Sequence, residues 1–165
     1  MIENKRRENM RRKDRQVTEI GEICAILDAC KTCYVGMVDK GEPYVVPLSY
    51  GYTMEDGVLI LYFHSAREGR KMDIWQREQQ VCFAISKEGV LRIAPAPCGY
   101  GYAYSSVMGR GRVEFIQNDA DKCRALEILF RHQTGQETIF TVQQTESVCV
   151  YKIICEDFTA KKRPV

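Results

Sequence analysis

The alternation of hydrophobic and polar positions along this chain is mostly that of β-strands. Segments rich in β-branched and aromatic residues, bounded by turn residues, predict six strands, at 33–38, 43–52, 58–63, 80–86, 102–115 and 147–158. Helical spacing of apolar residues predicts three helices, at 18–30, 67–77 and 119–132. Thr18 is the predicted N-cap of the first helix.

Turn-forming residues separate these segments. Residues 39–42 and 54–57 have the composition of hairpin-type turns, and residues 94–102 contain two prolines and two glycines, which predicts a loop. Gly109 and Gly111 lie inside a predicted strand, where they allow a bulge or a close backbone approach. Strands joined by hairpins, without repeated βα alternation, exclude a doubly wound dinucleotide fold and favour a mainly β antiparallel barrel with flanking helices.

Length and charge indicate one domain with basic ends. The chain has 165 residues, 45% of them hydrophobic, and a formal net charge of +2, which is too small to make nucleic acid the expected partner. Residues 1–15 carry seven Lys and Arg against three acids and are predicted to be a flexible basic arm. The predicted domain spans 16–160, and 161–165 form a basic C-terminal tail.

Apolar run lengths and cysteine usage predict a cytoplasmic protein. The chain has no apolar run of 18 residues and no signal-type segment in its first 15 residues, so no membrane span or secretory leader is expected. Most of its eight cysteines lie in apolar segments and are predicted to be reduced core residues. Cys30 and Cys33 have the spacing of a redox pair or half a zinc site; we favour structural burial and predict no metal site.

The most informative segment is the run from Leu61 to Ile74. An apolar stretch ends there in His64 and Ser65, followed by a turn and three cations, Arg67, Arg70 and Lys71. A strand, a turn and the start of a helix present backbone N–H groups to an anion, and the cations add full charges that suit a phosphate. The alternative interpretation is a solvated basic helix start.

Three segments of the chain, taken together, resemble a known family. They are Pro47-Leu-Ser-Tyr-Gly-Tyr52, Leu61-Tyr-Phe-His-Ser-Ala-Arg-Glu-Gly-Arg-Lys71 and Tyr104-Ser-Ser-Val-Met-Gly-Arg-Gly-Arg-Val-Glu-Phe115. In this order and spacing they resemble the FMN-binding split-barrel proteins related to pyridoxamine 5′-phosphate oxidase, and within that group the nitroimidazole-resistance-like branch. The resemblance covers about residues 11–158 and implies a six-stranded split barrel that forms a homodimer with FMN at the subunit interface.

The resemblance also implies which residues contact the flavin. Backbone groups of residues 46–49 are expected to face the polar edge of the isoalloxazine ring, where fixed dipoles act on its redox states. The ribityl-phosphate chain is expected to pass 64–66, with its phosphate held from α-helical positions 70 and 71, and a serine at 105 or 106 is expected from the second subunit. The residues implied are Val46, Pro47, Leu48, Ser49, His64, Ser65, Ala66, Arg70, Lys71, Ser105 and Ser106.

His64 is also the candidate catalytic residue. In the nitroimidazole-resistance-like branch the histidine of this block lies by the flavin, which implies that His64 orients a substrate or passes a proton. The alternative is a structural histidine at a strand end.

The sequence lacks a clear counterpart of the C-terminal arginine-containing substrate motif of the pyridoxamine phosphate oxidases, so vitamin B6 oxidation is not expected. The predicted function is an FMN-dependent oxidoreductase that takes hydride from NADH or NADPH and reduces a small aromatic, nitro or quinone-like acceptor. Two alternatives stay open: a flavin or haem binding or sensing protein without turnover, and a nucleic-acid-associated regulator that uses the basic arm.

Overall fold

The computed structural model describes residues 10–164, so residues 1–9 of the predicted basic arm lie outside the described part. Within it the chain forms eight strands and four α-helices. The strands are β1 Gln16–Val17, β2 Thr32–Asp39, β3 Glu42–Ser49, β4 Gly51–Glu55, β5 Val58–Ser65, β6 Gln80–Arg92, β7 Gly101–Phe115 and β8 Cys149–Arg163. The helices are α1 Ile20–Asp28, α2 Arg70–Arg77, α3 Asp119–Thr134 and α4 Val142–Thr145.

The predicted fold class, a mainly β antiparallel sheet with flanking helices, is confirmed. Every strand pairing in the described chain is antiparallel, and β1 joins the sheet by pairing with β8. The predicted number of six strands is too low. One addition is the two-residue β1, and the other arises because the predicted strand 43–52 is divided into β3 and β4.

Tyr50 marks the division between β3 and β4. Its side chain is fully buried, and its hydroxyl donates a hydrogen bond to the carbonyl of Leu27 near the end of α1 at 2.8 Å. Before Tyr50 the chain pairs with β2, and after it the chain pairs with β5. The sequence pattern runs through this corner unchanged, because the buried tyrosine continues the alternation of a strand.

The strand order makes the sheet curl into an open barrel. The path of paired strands is β3-β2-β6-β7-β8-β5-β4, so β3 and β4 are its two ends. A single residue, Tyr50, joins these ends along the chain, and a flat sheet cannot bring its first and last strands together. No pairing joins β3 to β4 within residues 10–164, and the barrel is therefore split rather than closed.

Gly109 and Gly111 create the predicted close approach. A Cβ at Gly109 would lie 2.4 Å from the carbonyl oxygen of Asp157, and one at Gly111 would lie 2.3 Å from that of Ile154. The β7–β8 register shifts between Arg110 and Gly111. The prediction of a bulge or a close backbone approach is confirmed, since both features occur here.

Several element ends differ from the predictions. Helix α1 begins at Ile20, with Glu19 and not Thr18 in the N-cap position, and α2 begins at Arg70 instead of 67. Strand β8 continues to Arg163, into the predicted tail, because β7 and β1 pair with it on its two sides. Strand β6 also extends beyond residue 86. Its second half is exposed, but its backbone continues to pair with β7 as a hairpin.

Gly51 is expected to be the least replaceable glycine where a helix packs on the sheet. A Cβ there would lie 2.5 Å from the Cα of Leu129, inside the backbone of α3. Because backbone atoms cannot move aside as a side chain can, Gly51→Ala is expected to lower the free energy of unfolding by about 3 kcal/mol. Urea unfolding measures this change.

Gly21 provides the matched control. It lies in α1, and a Cβ there would meet nothing within 4 Å. Gly21→Ala is therefore expected to raise the free energy of unfolding by about 0.4–1 kcal/mol. A Gly51→Ala protein as stable as the unsubstituted one would contradict the packing of α3 on β4.

Candidate functional site

The split of the barrel lies between β3 and the end of β5. Gly51 of β4 is opposite Tyr62 of β5, and continuing this register would place Ser49 opposite His64. Ser49 instead pairs with Thr32 of β2, because the chain has changed partners at Tyr50. The last residues of β5 and the outer edge of β3 therefore border a gap in the sheet.

Strand β3 presents an unpaired edge to this gap. Val46 and Leu48 are partly buried and pack against the core, whereas Pro47 and Ser49 are exposed. Proline is tolerated here because the outer N–H groups of an edge strand have no ladder partner. The free N–H and C=O groups of such an edge can bind the polar rim of a flat heterocycle.

His64 and Ser65 end β5 on the other side of the split. Within residues 10–164 the His64 ring has no hydrogen-bond partner, and partial desolvation by its neighbours holds its pKa below the usual value although the residue is exposed. The imidazole is therefore neutral at pH 7 and free to accept a proton or a hydrogen bond. The Ser65 hydroxyl donates to the Ala66 carbonyl at 3.0 Å and contacts the Met72 sulfur at 3.6 Å, while Ala66 is exposed.

The turn after β5 leads directly into helix α2. Gly69, with a φ of 130°, precedes Arg70, and its carbonyl accepts the N–H of Met72 at 2.9 Å and that of Asp73 at 3.2 Å. The first N–H groups of a helix have no partner inside the helix. The α2 N-terminus thus adds backbone donors and a partial positive charge beside the cations predicted from the sequence.

Arg70 points toward the β2–β3 hairpin. Its Nε donates to Asp39 Oδ2 at 2.9 Å, and its guanidinium carbon lies 4.4 Å from the centre of the Tyr44 ring. Asp39 Oδ1 also accepts from Arg77 Nη2 at 2.8 Å. Hydrogen bonding to Arg70 is the main reason why the pKa of Asp39 lies below its usual value.

Lys71 lies on a different side of the same helix turn. It is half-buried and forms no ion pair within the described chain. Together with Arg67 and Lys122, it lies close enough to Cys149 to act on that thiol electrostatically, although burial outweighs the three cations and raises the Cys149 pKa. The two predicted phosphate ligands therefore have different neighbours, and Lys122, on α3, is a nearby cation that the sequence pattern did not indicate.

Ser105 and Ser106 lie far from this cluster in the same chain. Ser105 pairs with Lys162 of β8, whereas His64 pairs with Val150. These two β8 positions are twelve residues apart, or about 40 Å along an extended strand. One protomer does not bring the predicted serines to the split.

An apolar groove crosses the outer face of the sheet. Exposed Tyr34, Val45 and Met108 line it together with Phe158, and its volume is about 420 Å³. The Oδ1 atom of Asp157, also in this groove, is buried without a hydrogen-bond partner in the described structure. An exposed apolar surface around an unpaired carboxylate oxygen is typical of a surface that is covered in an assembly.

A curled antiparallel sheet, split beside a cationic helix start, defines this protein as a split-barrel protein. Residues 19–162 match the family model described as pyridoxamine 5′-phosphate oxidase, and the chain belongs to that family. None of the curated proteins matches the chain.

Solved structures of similar fold include flavin- and haem-binding proteins. A candidate 5-nitroimidazole antibiotic resistance protein of Bacteroides thetaiotaomicron is 34% identical, with a TM-score of 0.75 over 89% of this chain and 86% of that one. The flavocytochrome Anf3 of Azotobacter vinelandii is 23% identical, with a TM-score of 0.75 over 94% and 72% of the two chains. The FAD and haem binding protein of Mycobacterium smegmatis is 17% identical, with a TM-score of 0.76 over 92% and 74%.

Two further observations concern the helices and the cysteines. None of the helices in the described chain is long and apolar enough to cross a membrane. All eight cysteines are free, and Cys30, Cys33 and Cys155 are buried. Burial raises the pKa of Cys30 and Cys33, which disfavours their thiolate forms and fits the predicted structural role of the pair.

Proposed function

We propose that this protein is a cytoplasmic FMN-binding flavoprotein that works as a homodimer and reduces a small aromatic, nitro or quinone-like acceptor with NADH or NADPH. The observation that carries the proposal is the split itself. An unpaired backbone edge at 46–49, the free imidazole of His64 and the cationic start of α2 border one gap, in a chain of this family.

The residues at the split fit a flavin phosphate. The outer edge of β3 would supply fixed donors and acceptors for the polar rim of the isoalloxazine, and Pro47 and Ser49 are exposed there. Arg70 and Lys71 at the α2 N-terminus suit a terminal phosphate dianion. A monophosphate needs few such contacts, which favours FMN.

A homodimer would reconcile the predicted serine contacts with the distance of these serines from the split. Ser105 and Ser106 join the phosphate site only if a second copy delivers them. The apolar groove with its unpaired Asp157 oxygen offers the surface that such a second copy would cover. In a two-fold dimer each copy completes the site of the other, so both sites form together.

A bound flavin would supply hydride transfer, and this chain would supply orientation and a relay for a proton taken up from solvent. His64 is neutral at pH 7 and has a free ring at the edge of the split, so it can hold a polar acceptor or hand on a proton. The nitro-type acceptor is supported by the similarity to the Bacteroides thetaiotaomicron protein. Binding of flavin or haem without turnover is the alternative.

An absorption spectrum of the purified protein, with mass spectrometry of the released ligand, tests the proposal. We expect a yellow protein that releases FMN and that reoxidises NADH or NADPH when a nitroaromatic or quinone acceptor is added. Bound FMN without turnover on any donor and acceptor would leave the binding alternative in place of the enzyme. A colourless protein that takes up no FMN on titration would refute the proposal.

A further inference from the structure

The β2–β3 hairpin brings one carboxylate against the phosphate anchor. Asp39 is the last residue of β2, and Lys40 and Gly41, both with positive φ of 51° and 91°, form the two-residue turn to β3. Two-residue turns of this kind match the twist of the strands that they join, so strand pairing continues up to the turn. The position of Asp39 is therefore set by the sheet and not by a mobile loop.

Asp39 occupies only one of the donors of Arg70. The carboxylate takes the Nε–H through Oδ2 and uses Oδ1 for Arg77. A guanidinium has four further N–H donors on its two Nη atoms. No hydrogen bond of the described chain uses these Nη atoms of Arg70, so the fork that suits a phosphate remains free.

The aromatic ring of Tyr44 packs against the same guanidinium group. The Arg70 guanidinium carbon lies 4.4 Å from the ring centre, which is within the range of a cation–π contact. The Asp39 side chain is 17% exposed, whereas that of Arg70 is 50% exposed. A partly exposed acid and an aromatic face thus fix one end of a side chain whose other end remains open to solvent.

We propose that Asp39 and Tyr44 are positioning residues that hold the Arg70 fork ready for the flavin phosphate. This inference rests on the proposed function, because it assumes that a flavin phosphate is the anion. Asp39 then raises affinity for phosphorylated flavin although its own charge repels the phosphate, because an arginine that is already oriented loses less side-chain freedom on binding. A carboxylate that only competed with phosphate for Arg70 would lower that affinity.

Asp39→Ala and Asp39→Asn separate the two roles. Alanine frees Arg70, whereas asparagine removes the charge and keeps an acceptor for the Nε–H. Compared with the unsubstituted protein, Asp39→Ala is expected to bind FMN about five- to twentyfold more weakly, and Asp39→Asn to bind it within about threefold. Riboflavin, which lacks the phosphate, is expected to bind all three proteins within about twofold. Isothermal titration of the flavin-free proteins measures these affinities.

Asp73→Asn is the matched control. Asp73 is an exposed acid in the first turn of α2 and forms no bond with Arg70. Removing its charge is expected to leave the preference for FMN over riboflavin unchanged within about twofold. A loss of FMN affinity in Asp73→Asn as large as that in Asp39→Ala would show that the loss does not depend on contact with Arg70 and would count against positioning.

Tyr44 provides an independent pair of variants if Asp39→Ala does not fold. Tyr44→Phe keeps the ring face and is expected to retain FMN affinity, whereas Tyr44→Leu is expected to weaken FMN but not riboflavin. Unchanged or tighter FMN binding by Asp39→Ala, or equal losses for FMN and riboflavin, would overturn the positioning role while leaving the proposed function intact. An unsubstituted protein that binds neither flavin would overturn both.

Discussion

Replacing Arg70 and Lys71 together by alanine is expected to strip FMN from the protein. Each charge-assisted hydrogen bond contributes about 1.5–3 kcal/mol to binding, which corresponds to a roughly ten- to hundredfold change in affinity for each lost contact. Arg70 is half-exposed, so the loss of its contact is expected to change the affinity by the lower end of this range. Lys71 is half-buried among other cations, so the loss of its contact is expected to change the affinity by the upper end. The absorbance of bound flavin per protomer measures the loss.

The control for this double variant removes the same charge elsewhere. Arg124→Ala with Arg131→Ala takes two exposed cations from α3 and is expected to retain FMN. Circular dichroism should show that both double variants remain folded. Full retention of FMN by the Arg70 and Lys71 variant would mean that the phosphate binds elsewhere.

Mixing two defective proteins is expected to restore flavin binding. One carries the Arg70→Ala and Lys71→Ala changes, and the other carries Ser105→Ala and Ser106→Ala. If each site combines the cations of one copy with the serines of the other, a mixed dimer contains one intact site and one doubly defective site. Random pairing of the two proteins then restores about a quarter of the sites.

Co-expression with two different affinity tags allows the mixed dimer to be isolated and its flavin content measured. The expected result is about one FMN per mixed dimer, and far less in either parent dimer. A mixed dimer with no more flavin than its parents would show that the site is not shared. Full binding by the serine variant alone would remove the serines from the site.

The strands and main helices could be predicted because burial imposes their period on the sequence. The close approach at Gly109 and Gly111 was also predictable, since glycine inside a strand pattern has few other uses. The division at Tyr50 was not predictable, because a buried tyrosine fits a continuous strand as well as a corner. Strand β8 was underestimated because its charged end gains pairing partners that lie far away in sequence.

The candidate site was predictable as a motif but not as a geometry. The block around His64 and Arg70 indicated an anion site, and the structure places that block beside a split in the sheet. The neighbours of its cations depend on tertiary contacts. Asp39 contacts Arg70 because the β2–β3 hairpin lies against α2. Lys122 lies near Cys149, as Lys71 does, because α3 packs on the sheet. Neither contact leaves a local pattern in the sequence.

The bond between Tyr50 and Leu27 links one wall of the split to helix α1. Shortening the chain past α1 would remove the acceptor of a fully buried phenol and release the corner where β3 becomes β4. Such a truncated protein would keep every residue that we assign to coenzyme binding. It is nevertheless expected to hold the coenzyme more weakly. Expression boundaries for this protein therefore belong upstream of residue 16, ahead of the strand that precedes that helix.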